Sequence, residues 1–174
     1  RLVAGDTVDI LGPLGKPFEV IEARPHIILL AGGIGAAPLS YFLEYLAKGL
    51  DRYGKNAQQA EMRRITFYFG AANASALVGL PQIQRFCPDV RIATDDASAG
   101  FAGTVTELLR RDLPEFDHAM TSIYACGPTA MIKSLSQLMQ TSSIPCYVSM
   151  EERMACGIGD CLGCSIKVRQ ESSG

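Results

Sequence analysis

Five short strand signals separated by helical stretches constrain this chain more than any other feature. "HIILLAGG" is an unalternating apolar run of the kind that a parallel sheet covers on both faces. "ITFYFGA", "DVRIAT", "SIYACG" and "PCYVSM" follow at intervals. A helix is predicted over residues 37–50, with Leu39, Phe42, Leu43 and Leu46 on one stripe. Further helices are predicted over residues 75–86, "GTVTELLRRDL" and "PTAMIKSLSQLMQ". Thr104 and Glu107 have the spacing of a capping box, in which each side chain satisfies a backbone donor that the other leaves open. Strands joined by helical crossovers predict an α/β fold with a five-stranded, parallel, doubly wound sheet. Ahead of it, "TVDIL" and "FEVIE" read as short strands around the turn "GPLGKP".

A chain of 174 residues, nearly half of them apolar, is long enough to bury a core of its own. A net charge of −2 gives no footing for nucleic acid or an anionic membrane surface. The most apolar stretch, His26 to Phe42, is broken by Gly32, Gly33, Gly35 and Pro38, which makes it a poor membrane span. With no signal-peptide pattern at its N-terminus, the chain is expected to be cytoplasmic.

"AGGIGAAP" joins the first buried strand to a helix, with Gly33-x-Gly35-x-x-Pro38 in place of the usual three-glycine dinucleotide fingerprint. Glycines let the backbone turn tightly and approach a pyrophosphate, whose charge meets free N–H groups and the positive helix end. Pro38 in the first turn gives up only an N–H that has no helical partner. The same turn also serves as a plain strand-to-helix connection. "YACGP" places Cys126, Gly127 and Pro128 at the end of a later strand, on the edge where ligands of open α/β sheets gather. Cys126 reads equally as a small buried hydrophobe. In "TDDASAGFAGTVT", Asp95 or Asp96 has the chemistry to accept a ribose hydroxyl, whereas Asp96 suits a solvated turn better.

Cys156, Cys161 and Cys164 are spaced C-x4-C-x2-C among Gly157, Gly159 and Gly163. That spacing opens the plant-type [2Fe–2S] pattern, which a more distant fourth cysteine completes. Zinc is the competing metal, but paired C-x2-C knuckles are its usual form. Cys87, Cys126 and Cys146 are scattered among predicted strands and helices and are not nominated as ligands.

"GPLG", "AGGIGAAP", "TDDASAGFAGTVTELL", "YACGPTAMIKSL" and "SMEERMACGIGDCLGCSIKV" occur in that order. Together they resemble the electron-transfer subunits of NAD-dependent, two-subunit dihydroorotate dehydrogenases, members of the ferredoxin reductase superfamily. The resemblance implies a flavin-binding β-barrel, of which residues 1–24 would be the last part, an NAD-binding domain over 25–150 and a cluster segment over 151–174. It implies that NADH passes hydride to FAD, and that single electrons move through a [2Fe–2S] cluster to an FMN-containing catalytic subunit of pyrimidine biosynthesis. The assembly would be a hetero-oligomer, expected to be a heterotetramer. Gly32, Gly33, Gly35 and Pro38 would form the pyrophosphate turn, and Cys126, Gly127 and Pro128 the segment beside the nicotinamide. Glu151 or Glu152 would lie near the flavin, and the fourth cluster ligand would lie beyond residue 174. With most of the barrel outside these residues, the 174-residue chain alone is expected to be inactive. Asn73, where relatives often carry a basic residue, favours NAD over NADP. Two other readings stay open: a reductase subunit of similar architecture serving a hydrogenase or sulfite reductase, and a non-catalytic nucleotide- or metal-binding module.

Overall fold

Strand β1 (His26–Gly32) is buried along its whole length, as an apolar run without alternation requires. It lies inside a parallel sheet in the computed structural model, which describes residues 3–10, 17–49, 63–150, 155–158, 160–161 and 163–165. Its neighbours are β2 (Arg64–Ala71) and β5 (Thr121–Gly127), with His26 opposite both Arg64 and Thr121. With β3 (Val90–Thr94), β4 (Phe101–Ala102) and β6 (Cys146–Met150), the order is β4-β3-β2-β1-β5-β6. The sheet therefore has six strands rather than the expected five. The addition, β4, pairs only through Phe101 opposite Ala93 and Ala102 opposite Thr94, too short a stretch to leave a pattern in the sequence.

Helices α1 (Ala36–Ala47) and α2 (Leu80–Phe86) pack together, as do α3 (Val105–Asp112) and α4 (Thr129–Met139). Helix α1 buries the expected stripe of Leu39, Phe42, Leu43 and Leu46, and its Phe42 ring meets Tyr124 at 5.2 Å. The residues flanking Tyr124, Ile123 and Ala125, instead join Val105, Leu108, Leu109, Ile132 and Leu135 of α3 and α4. Successive strand residues point to opposite faces, so the two helix pairs cover opposite sides of the sheet. The capping box forms as expected at the start of α3.

Two sequence expectations need correction. The helix expected over residues 75–86 is a single 3-10 turn at Ala74–Ala76 followed by α2. Gly79 at the N-cap of α2 has φ 84°, in the left-handed region, which separates the two. Thr7–Ile10 and Phe18–Glu22 belong to no strand. Short strands need ladder partners to persist, and none is present among the described residues. Most of the polar stretch before β2 lies outside the described residues.

The chain divides into two compact units, Arg1–Phe18 with Glu152–Gly174, and Glu19–Glu151. Within the second unit, the segment leading into β1 is fastened to the sheet. Arg24 donates to the carbonyls of His118 and Thr121 at 2.5 and 2.9 Å, and Arg63 pairs with Glu22.

A polar network braces the α3 side. The Asp112 carboxylate, 1% exposed, accepts from Arg91 at 2.6 Å, from Arg111 at 2.7 Å and from the Tyr68 hydroxyl at 3.0 Å. Burial pushes the Asp112 pKa up, but the hydrogen bonds from Arg111, Arg91 and Tyr68 outweigh it and hold the carboxyl below its usual range. A depressed folded-state pKa stabilises the fold above the unfolded value, and that stability is lost as pH falls through the folded value. Asp112→Asn is expected to cost about 1–3 kcal/mol in urea melts at pH 7, because it removes the buried anion that Arg91, Arg111 and Tyr68 share, although Arg91 keeps Asp89 and Glu115 as partners. The difference from the unsubstituted protein should shrink once the pH drops below about 4. A difference that is unchanged at pH 3 would show that the carboxylate's charge is not the source.

Candidate functional site

The order β2-β1-β5 reverses direction at β1, so a crevice opens between the C-terminal ends of β1 and β5. Four glycines around it have three different physical reasons for being glycine. Gly33 has φ 53° and would point a Cβ into open space. Gly35, the N-cap of α1, would place a Cβ 2.1 Å from the Cys126 carbonyl oxygen and 2.7 Å from the Gly127 nitrogen. Helix α1 thus starts directly against the Cys126–Gly127 peptide. Gly32 would meet the Met131 sulfur at 2.6 Å and Pro128 Cδ at 3.0 Å, and Gly127 would meet Met131 Cε at 2.7 Å. Gly32 and Gly127 therefore make room for the α4 methionine, a role that sequence reasoning missed. The signal was Met131 three residues after Pro128, because helical side chains lean back toward the N-terminus.

The helix starts at this edge are not equivalent. The first donors of α3 are taken by the Thr104–Glu107 box, with the Glu107 carboxylate 2.8 Å from the Thr104 nitrogen. Helices α1 and α4 have no side-chain cap and no acidic residue in their first turns. The α1 start is preceded by a 3-10 turn, Gly33–Gly35, whose Gly33 and Ile34 carbonyls accept the Ala36 N–H, whereas α4 follows Pro128 directly. The positive ends of both helices lie at this edge, an arrangement suited to a pyrophosphate. Pro38 is the third residue of α1, where its missing N–H removes no helical bond.

Cys126 is 2% exposed, and its carbonyl oxygen is the atom that the start of α1 approaches at Gly35. Asp95 is exposed at the end of β3, with its backbone N–H bound to the Ala71 carbonyl. Asp96 accepts from the Ser98 nitrogen at 2.9 Å and its hydroxyl at 2.5 Å, a solvated turn as the sequence suggested. Those bonds from Ser98 hold its carboxyl below the usual range. Asn73 caps the 3-10 turn through Ala76 N–H, so its side chain is engaged locally. A cavity of about 510 Å³ between Arg91, Phe101, Leu108 and Arg111 lies away from the crevice, and both its guanidiniums are already paired with carboxylates.

In the other unit, Cys156 and Cys161 are exposed and Cys164 is partly so. The Cys161 N–H points to the Cys156 sulfur at 3.5 Å, and Gly157 takes φ 70° between them. Backbone N–H groups of Cys161, Ile158 and Asp160 draw the Cys156 thiol down to about 6, which favours the thiolate that binds metal. Burial instead pushes Cys146 up to about 12. Among the described residues, no three His, Cys, Asp or Glu side chains stand close enough together to hold a metal. The donor chemistry suits a cluster, with Cys156 and Cys161 already adjacent. Glu151, Glu152 and Gly159 fall outside the described residues.

A reversed parallel sheet with a glycine crevice at its switch point defines a dinucleotide-binding α/β domain. The chain belongs to the oxidoreductase NAD-binding domain family, which matches residues 29–137. Residues 151–173 match the iron–sulfur cluster binding domain of dihydroorotate dehydrogenase B. The electron transfer subunit of dihydroorotate dehydrogenase B (NAD(+)) from Desulforamulus reducens is 38% identical, over 94% of this chain and 57% of that relative. Its counterpart from Streptococcus thermophilus is 35% identical, over 99% of this chain and 61% of that relative. The chain therefore spans less than two thirds of these relatives' length. Among solved structures, an NADH-dependent reduced ferredoxin–NADP oxidoreductase superposes with TM-score 0.68 at 28% identity, over 90% of this chain and 51% of that one. The C-terminal domain of a Pyrococcus furiosus hydrogenase, 14% identical with TM-score 0.55 over 79% of this chain and all of that one, shares the fold. No helix among the described residues is long and apolar enough to cross a membrane.

Gly35→Ala should cost about 1–3 kcal/mol in thermal melts and weaken NADH binding at least tenfold, because α1 must retreat from a rigid peptide. Gly33→Ala should cost about 1–2 kcal/mol from its left-handed backbone alone. Full NADH affinity in calorimetry for Gly35→Ala would dissociate this contact from nucleotide binding.

Proposed function

We propose that this chain is the nucleotide- and cluster-binding part of an electron-transfer subunit of dihydroorotate dehydrogenase B type. The observation that carries the reading is one chain holding both an uncapped, glycine-lined switch-point crevice and a C-x4-C-x2-C loop with backbone N–H groups on its first thiol. In this reading residues 25–150 hold NAD(H), and the 151–174 segment contributes cluster thiolates. The glycine turn at Gly33–Gly35 with the positive end of α1, and the open side of Gly33, receive the pyrophosphate. Asp95 accepts from a ribose hydroxyl, and the Cys126–Gly127–Pro128 backbone borders the nicotinamide. Cys156, Cys161 and Cys164 are cluster ligands, and Glu151 approaches the flavin. When bound, NAD(H), FAD and a [2Fe–2S] cluster supply hydride exchange, conversion between two-electron and one-electron steps, and single-electron carriage.

The partner is an FMN-containing catalytic subunit that oxidises dihydroorotate, in a cytoplasmic heterotetramer. The 174 residues alone should show little turnover, since in this reading the flavin is held mainly by residues outside them.

The test is anaerobic reconstitution of the complete subunit with iron and sulfide. Cys156→Ser, Cys161→Ser and Cys164→Ser should each abolish the [2Fe–2S] absorption and lower electron delivery to the catalytic subunit at least tenfold. NADH reduction of a small artificial acceptor should persist in each variant. A preparation that binds zinc and no iron would refute the cluster assignment.

A further inference from the structure

The chain passes between its two compact units twice, at Phe18–Glu19 and at Glu151–Glu152. On the α/β side, the elements behind both crossings meet at one residue. Tyr124, in the middle of β5 and fully buried, donates its hydroxyl proton to the Glu19 carbonyl at 2.8 Å and accepts from the Ile21 N–H at 3.3 Å. These bonds join positions more than a hundred residues apart, at the first crossing. The same ring stacks on Tyr147 of β6, with centroids 5.4 Å apart and planes 16° from parallel. Tyr147 lies three residues before the end of β6, which leads into the second crossing. The Phe42 ring of α1 packs edge-on against Tyr124 at 5.2 Å.

We propose that Tyr124 is a positioning residue that indexes both exits from the nucleotide-binding domain to β5. Two residues further along, β5 presents the Cys126–Gly127 peptide to the crevice. The segment before β1 and the segment after β6 are thereby referenced to the strand that borders the ligand. The ring contacts with Phe42 and Tyr147 are those a phenylalanine would also make. The hydroxyl serves the entry segment, where Glu19 and Ile21 lie in irregular backbone that forms no ladder. A swing of that segment would displace whatever it carries while leaving the crevice intact, and small displacements between reacting groups cost rate steeply.

Tyr124→Phe in the complete, cofactor-loaded subunit separates this role from packing. Hydrogen exchange at the Ile21 amide should accelerate at least tenfold, because its acceptor is gone. NADH reduction of the bound flavin should slow about fivefold with KM for NADH within about twofold of its original value. Tyr147→Leu, at a position 40% exposed, should speed exchange along β6 and reproduce part of the rate loss. Unaltered Ile21 exchange in Tyr124→Phe, or an Ile21 amide already unprotected in the original protein, would overturn the proposal. So would a rate loss matched by an equal rise in KM, which is the signature of a disturbed crevice. The kinetic arm rests on the electron-transfer reading. If the unsubstituted protein does not reduce flavin with NADH, that reading fails, and the exchange measurement still decides the role of Tyr124.

Discussion

The approach of Gly35 to the Cys126–Gly127 peptide leaves no volume for a methyl group, and the C-terminal edge of the sheet is built around that contact. Because α1 starts against β5 as well as following β1, the two strands on either side of the switch point are locked at one spacing. The stripe of Leu39, Phe42, Leu43 and Leu46 can then lie flat on the sheet, and Phe42 can reach Tyr124. From there the packing extends to β6 and to the entry segment. A side chain at residue 35 would tilt α1 and loosen each of these contacts in turn, since well-packed interiors transmit strain rather than absorb it.

The same edge sorts helix starts by their capping. Helix α3 spends its first donors on its own Thr104 and Glu107, adding a carboxylate that would repel a phosphate. Helices α1 and α4 carry no such side-chain cap, and no lysine or arginine occurs between His26 and Ala47. Anion binding there would rest on fixed backbone dipoles, which lose no side-chain entropy when a ligand arrives. Of the three helix starts, the capped one at α3 is the least suited to a phosphate.

Legibility in the sequence followed how local each feature is. The buried strands, the α1 stripe and the Thr104–Glu107 box are fixed by residues close together in the chain, and all were readable. Strand β4 was not, because two residues carry no period and take their state from β3. "TVDIL" and "FEVIE" had strand composition but find no ladder partner among the described residues, and a strand is a property of a pair. Gly79 was readable as a glycine but not as a helix break, because its left-handed backbone appears only with the fold. In the crevice, Gly33, Gly35 and Cys126 were found by motif, while the volume shared by Met131, Gly32 and Gly127 depends on α4 docking. The cysteine spacing could be read directly, whereas the N–H groups aimed at Cys156 required the loop's conformation.

Crevice and thiol loop, though they lie in separate compact units, rely on one device. Each would meet negative charge with backbone dipoles rather than with side-chain cations, and in each a glycine with positive φ shapes the turn: Gly33 in one, Gly157 in the other. No basic side chain occurs between Cys156 and Cys164, as none occurs along α1 before Lys48. Charge screening by salt acts mainly on exposed side-chain pairs, so sites made of short-range N–H contacts should be governed by geometry more than by ionic strength. Side-chain truncation cannot remove such donors. Only a change in backbone path can, and this places the functional sensitivity of the chain at its glycines and at the residues, such as Tyr124 and Met131, that hold the backbone in place.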